Sequence, residues 1–135
     1  MKYTIAEIAL KTGLTSYTLR YYDKEGLLPT MERDKNGNRI FTETELETIK
    51  IICCLKETGM QIKDIKKFIK WQTAGKDTLH KRDKMLRAHR EFVLNSIKRM
   101  EQNLIILDEK LEYFSRACEA YDKNEEIPPC SILQK

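Results

Sequence analysis

Long hydrophobic runs are missing from this chain. Its longest strongly apolar run, Ile51 to Leu55, is far too short to span a bilayer, and no apolar segment of the signal-peptide type opens the sequence. These absences predict a protein that is not exported, sits in the cytoplasm and has no membrane partner. Close cysteine pairing is missing too: Cys53, Cys54, Cys118 and Cys130 form no CxxC motif. Adjacent Cys53 and Cys54 are badly placed to bridge each other on a helix, so free thiols are the default in a reducing compartment. Histidine is scarce, and His80 and His89 both fall in a charged helical stretch. With no glycine-rich phosphate loop, no nucleophile–base pair and no convincing carboxylate pair, nothing favours an enzyme or a bound cofactor. Low-complexity segments and internal repeats are absent as well.

What is present is a chain of 135 residues with a formal net charge of +4 and a pI near 8.8. That length allows one compact core, or one small domain and a long helix, but not two full domains. The mild basicity suits a nucleic-acid partner without requiring one.

Boundary signals crowd the first 42 residues. Thr4 and Glu7 form a T-x-x-E capping box ahead of Ile5, Ile8, Ala9 and Leu10, which predicts a short helix from Ile5. Gly13 is placed to end it in the left-handed conformation. Thr15 or Ser16 caps a second helix to about Lys24, with Gly26 as its stop. Two short helices about a glycine-containing turn, over residues 5–24, are a helix-turn-helix signature. Pro29 prevents further helix. Asn36-Gly37 is the strongest short hairpin signal, because a type I′ turn needs positive φ at both central positions. Residues 30–41 therefore read as a small β-ribbon, a wing, whose arms carry Arg33, Lys35 and Arg39. Thr42 and Glu45 make a second capping box for a helix from about Glu43 to Thr58, ended by Gly59. Another helix runs from roughly Ile62 to Trp71, and Ala74, Gly75 and Lys76 break the pattern at an expected domain boundary.

From there the logic changes. Leu79, Leu86, Val93, Met100, Leu107, Phe114 and Tyr121 repeat every seven residues, and Ile97, Leu104, Leu111 and Cys118 follow members of that series by four. Such steps specify a coiled-coil seam that one helix cannot bury alone. No proline or glycine interrupts the stretch, so residues 77–121 predict a helix of roughly 60 Å, at ~1.5 Å per residue. A helix folded back on its own small domain would leave the seam largely uncovered, so a homodimer is expected. Residues 122–135, with Pro128-Pro129, predict a flexible tail.

On the second short helix, Leu19 and Leu14 can face the first helix. Ser16, Tyr17, Thr18 and Arg20 are then left for the major groove or its phosphate edges. Arg20 is the helix's bidentate-capable donor, fit for a guanine or a phosphate. Hydroxyls of Tyr21 and Tyr22 can reach phosphates while their rings pack on the domain, although both rings would also serve as plain core aromatics.

Tyr3-Thr4-Ile5, Thr12-Gly13-Leu14-Thr15, Thr18-Leu19-Arg20-Tyr21-Tyr22, Gly26-Leu27-Leu28-Pro29 and Asn36-Gly37-Asn38-Arg39-Ile40-Phe41 together closely resemble the N-terminal domain of MerR-family regulators. The match covers residues 1–71 without a gap. It is the ordered set that is specific, not any one piece. The resemblance implies a mainly α fold, with an N-terminal winged helix-turn-helix and a long C-terminal helix that dimerises as an antiparallel coiled coil. It implies a homodimer on promoter DNA, with two recognition helices in successive major grooves and wings on the flanking backbone. An effector would make the dimer bend and untwist the promoter, so that RNA polymerase is reached through the DNA. By position, the implied DNA contacts are Tyr3, Thr4, Ser16, Tyr17, Thr18, Arg20, Tyr21, Tyr22, Arg33, Asn38, Arg39 and Phe41. Phe41 stands where the family often has tyrosine.

The effector candidates are cysteine-based. Cys53 falls on the apolar face of its helix and reads as a small buried hydrophobe. Cys54 points away from that face, near Lys50. The stretch Cys54 to Met60, with His89-Arg90, resembles a branch of the family in which some members answer to aldehydes or other thiol-reactive electrophiles. Cys54 is accordingly the expected sensor. A metal-responsive alternative uses Cys118 and Cys130, with His80 as a weak third ligand. Their separation of twelve residues is long for such a loop, and Cys118 also fits the seam. A small organic effector in a groove lined by Trp71 and Phe92 is a third option, although core packing is the commoner role of both. An architectural DNA-binding role would share the same fold.

Overall fold

Capping side chains set where the first three helices begin in the structure, a computed structural model that describes residues 1–130. Thr4 Oγ1 accepts the Glu7 amide at 3.2 Å while Glu7 Oε1 accepts the Thr4 amide at 3.1 Å. That closed box opens α1 (Ile5–Thr12), and Gly13 ends it at φ 74°, its amide donating to the Ala9 carbonyl. Thr15 accepts the Thr18 amide at 3.1 Å and starts α2 (Ser16–Lys24).

The wing is a two-stranded antiparallel ribbon of β1 (Glu32–Arg33) and β2 (Arg39–Ile40), with Glu32 opposite Ile40 and Arg33 opposite Arg39. Its turn is not type I′. Of the turn residues only Gly37, at φ 82°, is left-handed. The Asp34 carboxylate accepts the amides of Asn36 and Asn38, each at 2.9 Å, and the Gly37 amide donates to the Asp34 carbonyl at 3.0 Å. Asp34 thus holds a right-handed turn at Lys35-Asn36 and leaves one position that needs glycine. Tyr3 and Phe41 exchange backbone hydrogen bonds of 2.7 and 2.9 Å, which ties the chain's start to the wing's end.

A second box opens α3 (Glu43–Glu57). The Glu45 carboxylate is buried, and it accepts the Thr42 amide at 2.8 Å, the Thr42 hydroxyl, and the Thr30 hydroxyl at 2.6 Å. Burial alone would raise its pKa; these hydrogen bonds outweigh burial and hold it below the ordinary carboxylate value. Helix α4 (Ile62–Ala74) runs past the expected end at Trp71, because nothing before Gly75 breaks it. A 3₁₀ turn at Lys76–Thr78 leads directly into α5 (Leu79–Asp122).

Two compact units result. The first, Met1–Arg90, contains the core, with Ile8, Leu19, Leu27, Ile49, Ile52 and Ile65 fully buried. At about 1.5–3 kcal/mol per fully buried aliphatic side chain, these dominate the unit's stability. The first turns of α5 belong to it. Met85 packs against the core, and the Thr78 hydroxyl donates to the carbonyls of Trp71 and Gly75 at 2.5 and 2.8 Å. The unit's edge therefore falls inside α5, downstream of the Ala74–Lys76 break.

The second unit begins at Glu91. Along it Ile97, Met100, Leu104, Leu107, Leu111 and Phe114 are between 48% and 71% exposed, the heptad seam laid bare in the single chain. After Asp122 no regular element follows through Cys130, but the tail is tied down. Asn124 takes a left-handed φ of 55°, the Glu125 amide donates to the Ala120 carbonyl at 2.8 Å, and the Tyr113 hydroxyl donates to the Pro128 carbonyl at 3.0 Å. The flexible tail expected over residues 122–135 is anchored as far as these bonds reach, and residues 131–135 lie outside the described residues.

Candidate nucleic-acid interface

Leu19 turns inward with 0% exposure and so fixes which face of α2 looks out. Tyr17 stands 79% exposed and Tyr21 38%, with Arg20 exposed between them. Ser16 and Thr18 are half-buried at the helix start, and the Thr18 hydroxyl is 2.9 Å from that of its cap, Thr15. Thr4 is exposed at the start of α1. Beside these, Lys2, Thr4, Arg20, Asn38 and Arg39 line a cleft of about 480 Å³ between the helix-turn-helix and the wing. Cationic and amide donors converge there from three separate segments, which suits an anionic backbone.

Three of the expected contact residues are placed otherwise. The ring of Tyr22 is core, at 1% exposure, and so is Phe41 at 0%. Packing claims both rings, which belong to the one core cluster of buried residues. Tyr3 is buried as well, and its hydroxyl donates inward to Glu43 Oε1 at 2.5 Å. That hydrogen bond, with burial and the Glu43 charge, pushes the phenol's pKa up.

Arg33 and Arg39 do not point freely into solvent. Arg39 Nε donates to Asp23 Oδ2 at 2.7 Å, and Arg33 Nη2 lies 3.4 Å from the same oxygen. Arg33 Nη1 also donates to the Gly37 carbonyl at 2.8 Å. Sequence reasoning missed Asp23. Its only local signal is an acid near the C-terminal end of a basic helix, an unfavourable place for a carboxylate that has no partner.

On α3 the neighbouring thiols differ. Cys53 is half-buried against the core, and burial raises its pKa, whereas Cys54 is exposed. Lys50, one turn before Cys54, pairs with Glu47 at 3.0 Å. One turn after it, the Thr58 hydroxyl donates to the Cys54 carbonyl at 2.7 Å and lies 2.7 Å from His89 Nε2 on α5. Cys118 is exposed on α5 and Cys130 is half-buried in the tail. Among the described residues no three His, Cys, Asp or Glu side chains gather as a metal site would need. Trp71 is half-buried between the Lys67 and Lys81 ammonium groups, each 5.9 Å from its ring, and Phe92 is 48% exposed.

Residues 3–71 match the family model described as MerR HTH family regulatory protein. The chain belongs to the MerR family. An uncharacterised HTH-type transcriptional regulator of Haemophilus influenzae is 42% identical over 117 residues, 87% of each chain. The crystal structure of HiNmlR, a MerR family regulator lacking the sensor domain, bound to promoter DNA, superposes with a TM-score of 0.83 at 39% identity. It spans 93% of this chain and 97% of that one. A MerR family transcriptional regulator from Bacillus thuringiensis gives a TM-score of 0.78 at 41% identity, over 83% and 98% of the two chains. No helix among the described residues is long and apolar enough to cross a membrane.

Proposed function

We propose that two copies of this MerR-family regulator pair through their C-terminal helices and place α2 of each copy in successive major grooves of promoter DNA. The carrying observation is the outward face of α2, with Tyr17, Arg20 and Tyr21 beside the basic cleft under the wing. The likeness to a promoter-bound regulator supports it. Arg20 reads a base or clamps a phosphate. Ser16, Tyr17, Thr18 and Tyr21 contact the groove edge, while Thr4, Arg33, Asn38 and Arg39 hold the flanking backbone. Tyr3, Tyr22 and Phe41 act from the core by fixing the helix and the wing. The dimer works in the cytoplasm, without catalysis, and switches transcription by distorting the promoter so that RNA polymerase finds its elements in register.

The exposed thiol of Cys54 is the sensing group, taking up a reactive carbonyl or another soft electrophile, while Cys53 packs the core. The likeness to a regulator described as lacking the sensor domain supports placing the sensing group in the head. The metal-responsive alternative at Cys118 and Cys130 draws no support from a third ligand among the described residues.

Footprinting upstream of the protein's own and neighbouring genes, with and without formaldehyde, methylglyoxal and metal ions, tests the scheme. Protection of a discrete site is expected, and uniform coverage with steep salt dependence would instead mark an architectural protein. Arg20→Ala should weaken operator binding by ~1–3 kcal/mol. Equal induction of a reporter by formaldehyde in wild type and Cys54→Ser would end the thiol reading.

A further inference from the structure

A carboxylate on a DNA-facing surface is, on charge alone, a liability. Asp23 sits near the end of α2 with its side chain 17% exposed, and both wing arginines turn toward it. Arg39 reaches it from β2 at 2.7 Å through Nε, and Arg33 reaches it from β1 at 3.4 Å. The wing itself is small. Its two strands have two residues each, and apart from the Tyr3–Phe41 bridge its strands have no other sheet partner among the described residues. So short a ribbon has little of its own to fix its angle to α2.

We infer that Asp23 is a positioning residue for DNA binding: it latches the wing to the recognition helix, so that the groove-reading face of α2 and the phosphate donors of the wing keep one spacing. Arg39 gives one N–H to Asp23 and keeps four others for a phosphate, its guanidinium already oriented before DNA arrives. Arg33 is held twice, by Asp23 and by the Gly37 carbonyl of its own turn. The latch rests on the DNA-binding reading above, but its first consequence is visible in the free protein.

Charge and latch predict opposite signs for Asp23→Asn. Removing a negative charge should tighten binding if charge is all that matters. Releasing the latch should weaken it, by about tenfold, and flatten the dependence of log K on log salt by about one unit for each phosphate that the wing no longer neutralises. The probe is the duplex that wild-type protein selects from a random-sequence library. Hydroxyl-radical protection should vanish where the wings lie and persist in the central grooves. Without DNA, backbone order parameters over residues 32–40 should fall from rigid values of about 0.85 toward 0.6 in Asp23→Asn. Asp23→Glu, which keeps the charge, should restore most of both. Arg39→Gln breaks the same pair from the other side and should loosen the hairpin likewise, so the latch can be read even where Asp23→Asn folds poorly. Binding by Asp23→Asn that is unchanged or tighter, or a hairpin that stays rigid in both variants, overturns the proposal. Failure of wild type to select any duplex would instead sink the DNA-binding reading, while the order parameters still decide the latch.

Discussion

Residues 1–90 and the residues from Glu91 onward treat their apolar side chains in opposite ways. In the first unit most isoleucines and leucines of α1 to α4 pack into or against one core, Leu10 being the clear exception. In the second, the side chains that repeat at helical spacing stay largely in solvent. Both patterns are equally regular in sequence, so regularity does not tell a finished core from half of one. The difference lies in what each face can meet within its own chain. Short helices separated by glycine turns fold back on one another, whereas an unbroken helix has no second layer and needs another molecule.

The most damaging way to test that contrast is to charge the bare seam. Leu104→Asp with Leu111→Asp should turn a dimer at micromolar concentration into a monomer by sedimentation velocity, while the first unit still unfolds cooperatively. A double variant that still dimerises would mean that the seam is not the interface. The converse substitution, Ile52→Ala in the core, should remove about 2–5 kcal/mol in urea unfolding followed by Trp71 fluorescence. It should leave dimerisation alone. A loss below ~1 kcal/mol would mean that the first unit is less tightly packed than its burial indicates.

Glu45→Gln sharpens the contrast through polarity. The buried carboxylate accepts three hydrogen bonds from Thr30 and Thr42, so its loss should cost about 1–3 kcal/mol. The sign with pH follows from its lowered pKa. The native carboxylate binds its proton less readily than the unfolded one. Its contribution is therefore complete above the ordinary value of about 4.3 and is lost as pH falls through the folded value. Wild type should lose that increment on acidification and Glu45→Gln should not. Equal acid sensitivity in both would assign the effect elsewhere.

How much of this was legible beforehand depends on the range of the cause. Thr4–Glu7, Thr42–Glu45 and Gly13 act within a turn of chain, and the helix starts they predict are where the structure has them. The heptads are local too, and they set the length of α5. What escaped was set across the chain. The type I′ expectation for Asn36-Gly37 failed because Asp34 reaches over the turn and takes two amides. Tyr22 and Phe41 looked like contact residues in one dimension, but both rings are buried in the core. Asp23 and Arg39 are sixteen residues apart, and no period or motif links them.

The contact between Thr58 and His89 joins two distant stretches of chain beside Cys54. The Thr58 hydroxyl that meets the Cys54 carbonyl at 2.7 Å also lies 2.7 Å from His89 Nε2. The two residues it fastens are 31 apart in sequence, and the fastening lies one turn from the exposed thiol. A shift of the backbone at Cys54 would therefore pull on the same hydroxyl that fastens the end of α3 to α5.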